Sequence, residues 1–317
     1  MINITDSGEI MKSKSAVALG IFDGVHNGHR EIISAALEYK NSNLSPVVFT
    51  FNVESIEIKH GRRYEYIYDD RQKHEILESL GVEYIFSPDA EQLKNMSGEE
   101  FSEKILVKRL NAGAVICGEN FRFGKNAECG ADELKRFGEK YGFEVKIVEL
   151  LKMDGMVISS EAVRNMLIEG KIPELRERWG ITYFIDSVVR EGNRIGSTVL
   201  SFPTVNQHFS ENQLVPRKGV YCSVTEIDGV EYCSITNVGY RPTVADGAAP
   251  LAETHILDYS GDLYGKRVKV TLLYFVRDEM KFSSLDDLKK QIDADIASVC
   301  RHAAKENVRQ AQERIDI

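Results

Sequence analysis

The stretch Leu19-Gly20-Ile21-Phe22-Asp23-Gly24-Val25-His26-Asn27-Gly28-His29-Arg30 sets two histidines three residues apart among three glycines. These residue types suit phosphate. Glycine admits positive φ and lets a ligand come close to the backbone. Imidazole N–H groups can donate to oxygens on which charge builds in a transition state. The apolar run Ala16-Val17-Ala18-Leu19 before it reads as a buried strand. Glu31 to Glu38 after it carries apolar residues at helical spacing. The histidines therefore stand on a strand-to-helix turn, where free N–H groups and the positive end of the helix dipole favour an anion. The chemistry this suggests is transfer at a phosphate. A zinc site would need further ligands, which the neighbouring sequence does not supply, and would leave the glycines without a role.

Strands and helices alternate through this half of the chain. Pro46–Phe51, Val82–Phe86, Ala114–Gly118 and Phe143–Val148 read as strands. Tyr68–Leu80, Ser97–Leu110, Asp132–Tyr141 and Ser159–Glu169 read as helices, with Ser97 and Glu100 spaced as a capping box. Gly170-Lys171-Ile172-Pro173 reads as a breaker, and Met11-Lys12-Ser13-Lys14-Ser15 as solvated polar chain. The alternation predicts a doubly wound parallel sheet whose ligands bind at the carboxyl ends of the strands. From about Tyr183 the pattern changes to short β-rich runs, with Asp228-Gly229 as a hairpin turn, and a terminal helix from Ser284. This predicts a small antiparallel barrel. The domains expected are residues 1–181 and 182–317.

Composition narrows the function class. The 317 residues carry a formal net charge of −9, which argues against nucleic acid as a partner. No apolar stretch approaches the roughly 20 residues of a membrane span. The five cysteines are scattered, without Cys-x-x-Cys, and read as reduced thiols of a cytoplasmic protein. Small-molecule partners are expected, and the oligomeric state is left open.

The segment Gly20-Ile-Phe-Asp-Gly-Val-His-Asn-Gly-His resembles the nucleotidyltransferases of the His-x-Gly-His superfamily. Gly118-Glu119-Asn120-Phe121-Arg122-Phe123-Gly124 and Ile158-Ser159-Ser160-Glu161-Ala162-Val163-Arg164 resemble the adenylyltransferase half of the bacterial bifunctional riboflavin kinase/FMN adenylyltransferase family. Phe202-Pro203-Thr204-Val205-Asn206, Asn237 to Thr243, Glu253 to Asp258 and Asp262-Leu263-Tyr264-Gly265 resemble its kinase half. The resemblance implies that riboflavin and ATP give FMN, and that FMN and a second ATP give FAD and pyrophosphate, with Mg²⁺ as cofactor.

By that resemblance, His26 and His29 are catalytic in adenylyl transfer, and Gly20, Phe22, Asp23, Gly24, Gly28 and Asn120 belong to its nucleotide site. Arg164 would hold the β- and γ-phosphates, with Ser159 or Ser160 donating hydrogen bonds. Phe121 or Phe123 would stack on an aromatic ring of the ligand. In the kinase half, Gly192 and Gly196 would flank a phosphate-covering turn, and Thr204 and Asn206 would hold Mg-ATP. Glu253 would act as base, and Arg277 would lie near the flavin. Four residues in three places depart from the family pattern: Asn52-Val53 replaces His-Pro, Glu161 replaces Thr, and Ser201 replaces Gly.

Overall fold

The computed structural model describes residues 1–4, 11–56, 58–59, 62–190, 204–241, 249–284 and 286–299. The chain forms two compact units. The first comprises Met1–Arg164 with Arg178–Ile181 and Asn212–Leu214. The second comprises Asn165–Glu177, Thr182–Glu211 and Val215–Ile317.

In the first unit, β1 (Ile2–Asn3), β2 (Ser15–Leu19), β3 (Ser45–Phe49), β4 (Tyr84–Phe86), β5 (Ala112–Gly118) and β6 (Glu144–Val148) form one sheet. Its order is β1-β4-β3-β2-β5-β6 and every pairing is parallel. The order reverses at β2, so the carboxyl end of β2 lies beside the switch point where ligands of such sheets bind. All five residues of β2 are buried, as a central parallel strand covered on both faces requires. The two cores separate by side-chain alternation. Val17 and Leu19 pack on one face with Val47, Phe49, Val115 and Cys117, whereas Ala16 and Ala18 pack on the other with Ile33 and Ile116.

Several local expectations change. Ser15 and Met11 are not solvated: Ser15 opens β2 and is fully buried, and Met11 joins the core. A strand start must enter the sheet's interior, so only Lys12, Ser13 and Lys14 stay exposed. Gly170, at φ +77°, does end a helix, but Pro173 then sits in the first turn of a new helix, Ile172–Trp179. Proline is tolerated there because its missing N–H would have had no intrahelical partner. The capping box forms as expected, with Ser97 Oγ accepting from Glu100 N at 3.2 Å. The helix then widens into π geometry over Phe101–Arg109.

Lys73 is 1% exposed, a placement its charge does not suggest. Its ammonium is paired with Asp70 Oδ1 at 2.9 Å and donates to Phe51 O at 2.6 Å and Thr50 Oγ1 at 3.3 Å. Burial pushes its pKa down and Asp70 opposes that shift. Thr50 Oγ1 in turn donates to Ile21 O at 2.6 Å, so the buried lysine tethers the glycine turn. Lys73→Met should take the counter-charge from Asp70, which keeps its bond from Val53 N, and the donor from the Phe51 carbonyl, and lower stability by about 3 kcal/mol, the low end for breaking a buried pair because Asp70 is also partly hydrated. Urea denaturation measures this; an unchanged midpoint would show the pair to be neutral.

In the second unit, β7 (Phe184–Val188), β8 (Thr204–His208), β9 (Gly219–Ile227), β10 (Val230–Arg241), β11 (Ala249–Ile256) and β12 (Arg267–Arg277) form an antiparallel sheet. Its order is β7-β12-β9-β10-β11-β8. Arg190, just past β7, bridges to Asn206 of β8 and brings the barrel close to closure. Asp228 and Gly229, at φ +51° and +78°, make the expected two-residue turn. The interior holds hydroxyls as well as aliphatic groups. Ser223 and Thr236 are 2.8 Å apart, Thr236 and Thr254 2.9 Å, and Thr225 and Ser234 2.6 Å. Each hydroxyl can both donate and accept, so a ladder of them satisfies itself without water. On the outer face, Val220, Cys222 and Ile235 pack against Ile296 and Val299 of the terminal helix.

Candidate functional sites

The turn after β2 is strained and firmly held. Phe22, Gly24 and Val25 all have positive φ, at +52°, +83° and +43°. For a β-branched valine this is a true outlier, and such strain persists only where neighbours impose it. The Phe22 ring lies across Gly20, whose Cβ would come within 2.8 Å of it. A Cβ on Gly24 would meet Ile67 at 2.7 Å. Asp23, 1% exposed, supplies the anchor. Its Oδ1 accepts from Ile67 N at 2.9 Å, and its Oδ2 accepts from Tyr64 Oη at 3.0 Å and from the Arg164 guanidinium. Ser160 Oγ donates to the Asp23 carbonyl at 2.9 Å.

His26 caps the following helix, Asn27–Leu37, whose first turn carries no acidic side chain. Its Nδ1 accepts from His29 N at 3.2 Å. In the neutral ring the proton therefore sits on Nε2, which is left as a donor. The His26 and His29 rings are stacked with centroids 3.6 Å apart, and Phe22 meets His29 edge-on at 5.3 Å. Burial lowers the His26 pKa to about 4. A Cβ on Gly28 would approach His26 Nδ1 at 3.3 Å.

The remaining candidates of this unit fall into two groups. Ser159 caps its helix, accepting from Ala162 N at 3.2 Å. Arg164 is already engaged: besides Asp23, its Nε donates to Glu65 O at 2.7 Å and its Nη2 to Tyr64 Oη at 3.2 Å. Glu161 is exposed and lies 3.6 Å from the remaining guanidinium nitrogen. Asn120 is exposed beyond β5. Phe123 is packed in the core against Phe101 and Phe137, and Phe121 lies half-buried over it at 5.7 Å. Tyr64 was not anticipated as part of the anchor. The alternation Tyr64-Glu65-Tyr66-Ile67-Tyr68 is its sequence signal, an extended segment with one tyrosine face, and all three tyrosines are buried.

In the second unit, strand register assembles residues far apart in sequence. Asn206 of β8 pairs with Glu253 of β11, Glu253 with Asn237 of β10, Asn237 with Val220 of β9, and Val220 with Arg277 of β12. Opposed residues share a face, so Asn206, Glu253, Asn237 and Arg277 lie in one row across the outside of the barrel. Thr204 stands on the same face as Asn206 and pairs with His255. Asn206 is 4% exposed. Gly192, Gly196 and Ser201 lie outside the described residues. Asn237 is the row member that the sequence reading did not single out.

Arg277 ends the row in an ion pair. Its Nε and Nη2 reach Asp295 at 3.1 and 2.7 Å, and Gln291 Nε2 donates to the same carboxylate at 2.9 Å. Asp295 is 4% exposed and lies on the terminal helix. Arg277→Ala would leave that carboxylate buried without its counter-charge, with only the Gln291 amide still donating to it, a costly state. The expected result is at least a tenfold loss of hydrogen-exchange protection across residues 286–299. Wild-type protection there would show that the pair does not dock the helix.

Among the described residues, no group of three His, Cys, Asp or Glu stands close enough to share a metal, and no helix is long and apolar enough to cross a membrane. The FAD synthetase family profile matches residues 9–162 and the riboflavin kinase profile residues 179–303. The bifunctional riboflavin kinase/FMN adenylyltransferase of Escherichia coli is 32% identical over 286 residues, covering 88% of this chain and 90% of its own. That of Listeria monocytogenes is 30% identical over 295 residues, covering 92% and 91%. A crystal structure from Streptococcus pneumoniae, titled a macrolide-efflux protein, matches with a TM-score of 0.83 at 30% identity over 94% of this chain and 98% of that one. The two profiles in chain order and the full-length relatives lead to one conclusion: the chain belongs to the bifunctional riboflavin kinase/FMN adenylyltransferase family.

Proposed function

We propose that residues 182–317 phosphorylate riboflavin to FMN with ATP, and that residues 1–181 transfer the adenylyl group of a second ATP to FMN, releasing pyrophosphate. The observation that carries this reading is the stacked His26–His29 pair at a helix N-terminus, beyond the carboxyl end of a central parallel strand. In adenylyl transfer an FMN phosphate oxygen attacks the α-phosphorus of ATP in line. That nucleophile is already anionic, so the first unit needs donors and alignment rather than a base. His26 Nε2–H, His29 and the helix N–H groups serve as donors, and Gly28 gives the phosphate room. Gly20, Phe22, Asp23 and Gly24 shape the turn. Asn120, Ser159 and Ser160 belong to the nucleotide site. Arg164 binds the β- and γ-phosphates if the triphosphate draws it from Asp23, and otherwise serves by fixing the turn. Phe121, with an exposed face, is better placed than Phe123 to stack on a ring.

In the second unit, Glu253 takes the proton from the riboflavin hydroxyl that becomes phosphorylated. Arg277 marks the flavin end of the row and Asn206 the nucleotide end. The hydroxyl of Thr204 and the amide oxygen of Asn206, separated by one residue on an extended strand, are hard oxygen donors of the kind Mg²⁺ accepts, and they would hold it. When bound, Mg²⁺ supplies charge neutralisation for the ATP phosphates. Gly192 and Gly196 complete the nucleotide turn in this reading. A time course of riboflavin, FMN and FAD with Mg-ATP tests the whole: FMN should rise and then give way to FAD, and accumulation of neither would overturn it.

A further inference from the structure

The barrel row has an extension that neither reaction, as described above, uses. Glu279 lies two residues beyond Arg277, past the end of β12. Its side chain returns over β10, where Asn237 Nδ2 donates to Glu279 Oε1 at 3.3 Å. A carboxylate at neutral pH only accepts, so this contact fixes which end of the Asn237 amide faces Glu279. The amide carbonyl and its second N–H are then left for the face that Asn237 shares with Glu253, its register partner. Gly239, two residues on from Asn237, is what lets the carboxylate lie there. A Cβ built on Gly239 would collide with Glu279 Oε1 and come within 3.2 Å of its Cδ. The backbone at Gly239 is not in the left-handed region, so the glycine is not explained by φ. It is explained by the space that the carboxylate fills.

We infer that Glu279 is a positioning residue of the riboflavin kinase site, which orients Asn237 beside Glu253 through a slot kept open by Gly239. The inference rests on Glu253 being the base. A tethered amide on the neighbouring strand would hold the base, and the hydroxyl it deprotonates, in one geometry. Loss of the tether would then lower turnover more than it weakens flavin binding, because misplacement acts on the reacting alignment.

The test uses the full chain, riboflavin and Mg-ATP, with kcat and the KM for riboflavin read separately. Glu279→Ala should lower kcat about tenfold and leave KM within about twofold. Glu279→Gln, which keeps an acceptor oxygen, should recover most of that loss. Gly239→Ala should reproduce the Glu279→Ala defect, because the obstructed group is the flexible end of a side chain that can be pushed out without disturbing the fold. The double variant should be no worse than Glu279→Ala alone, since the slot is then empty. Multiplying defects, or a rise in KM with kcat unchanged, would overturn the inference. So would wild-type kcat in Glu279→Ala when Glu253→Gln, assayed beside it, is inactive. An active Glu253→Gln would instead overturn the reading of Glu253 as base, whatever Glu279 does.

Discussion

FAD formation from FMN should fall roughly 10²–10³-fold in His29→Ala, the scale of one lost preorganised donor. FMN formation from riboflavin should persist. The stacked pair explains the size of the effect. His29 holds His26 in place from two sides, with its ring at 3.6 Å and its backbone N–H on His26 Nδ1. His29→Ala keeps that backbone N–H but removes the ring, and with it one donor and the stacking that steadies the His26 ring. The pH dependence follows from burial. His26 has a pKa of about 4 in the folded chain against an ordinary 6.5, so its ring is neutral near pH 7, as the proposed donor role requires. Its titration should therefore put no limb on the adenylyl-transfer rate between pH 5 and pH 8. For stability the sign is the reverse of that for a salt-bridged histidine. The unfolded chain takes up the proton first, so the stability linked to His26 is intact above about 6.5 and is lost as pH falls through about 4. Wild-type FAD synthesis in a folded His29→Ala variant would remove the histidine from the mechanism.

How much of this was legible in the sequence differs between the two units. The turn from Gly20 to His29 was legible because its chemistry is local. A strand, three glycines and a helix start are contiguous, and the parallel sheet follows from alternation alone. What holds the turn was not legible. Asp23 meets Tyr64 and Arg164 only after long crossovers, and Lys73, in a polar helical stretch, gives no sign that it will be buried under Thr50. In the barrel, Thr204, Asn206, Glu253 and Arg277 were drawn from motif resemblance, but their common face is a property of register. Only the Asp228-Gly229 turn fixes register locally, and it sets Val220 opposite Asn237. The other pairings close over longer connections, so Asn237 could not be seen to neighbour Glu253. Glu279 was hidden for a further reason: it reaches the row from outside the strands, through the room left at Gly239.

Riboflavin phosphorylation should fall roughly 10²–10⁴-fold in Glu253→Gln, the range of a lost general base. FMN supplied directly should still be converted to FAD. The substitution keeps size and shape and removes only the ability to take a proton. Glu253 stands between two amides, Asn206 and Asn237, in its register row. Amides can hydrogen-bond a carboxylate or a glutamine equally well, and neither competes for the substrate's proton. Packing of the row is therefore preserved, and the lost rate reports chemistry rather than folding. Hydrogen-exchange protection of β10 and β11 should match the wild type. The adenylyl step should be spared because the donors proposed for it, His26 and His29, belong to the other compact unit and need no base. Loss of both reactions in a chain with native circular dichroism would mean that the two sites depend on each other. Full kinase turnover in Glu253→Gln would mean that the hydroxyl gives up its proton elsewhere, to the nucleotide itself or to water.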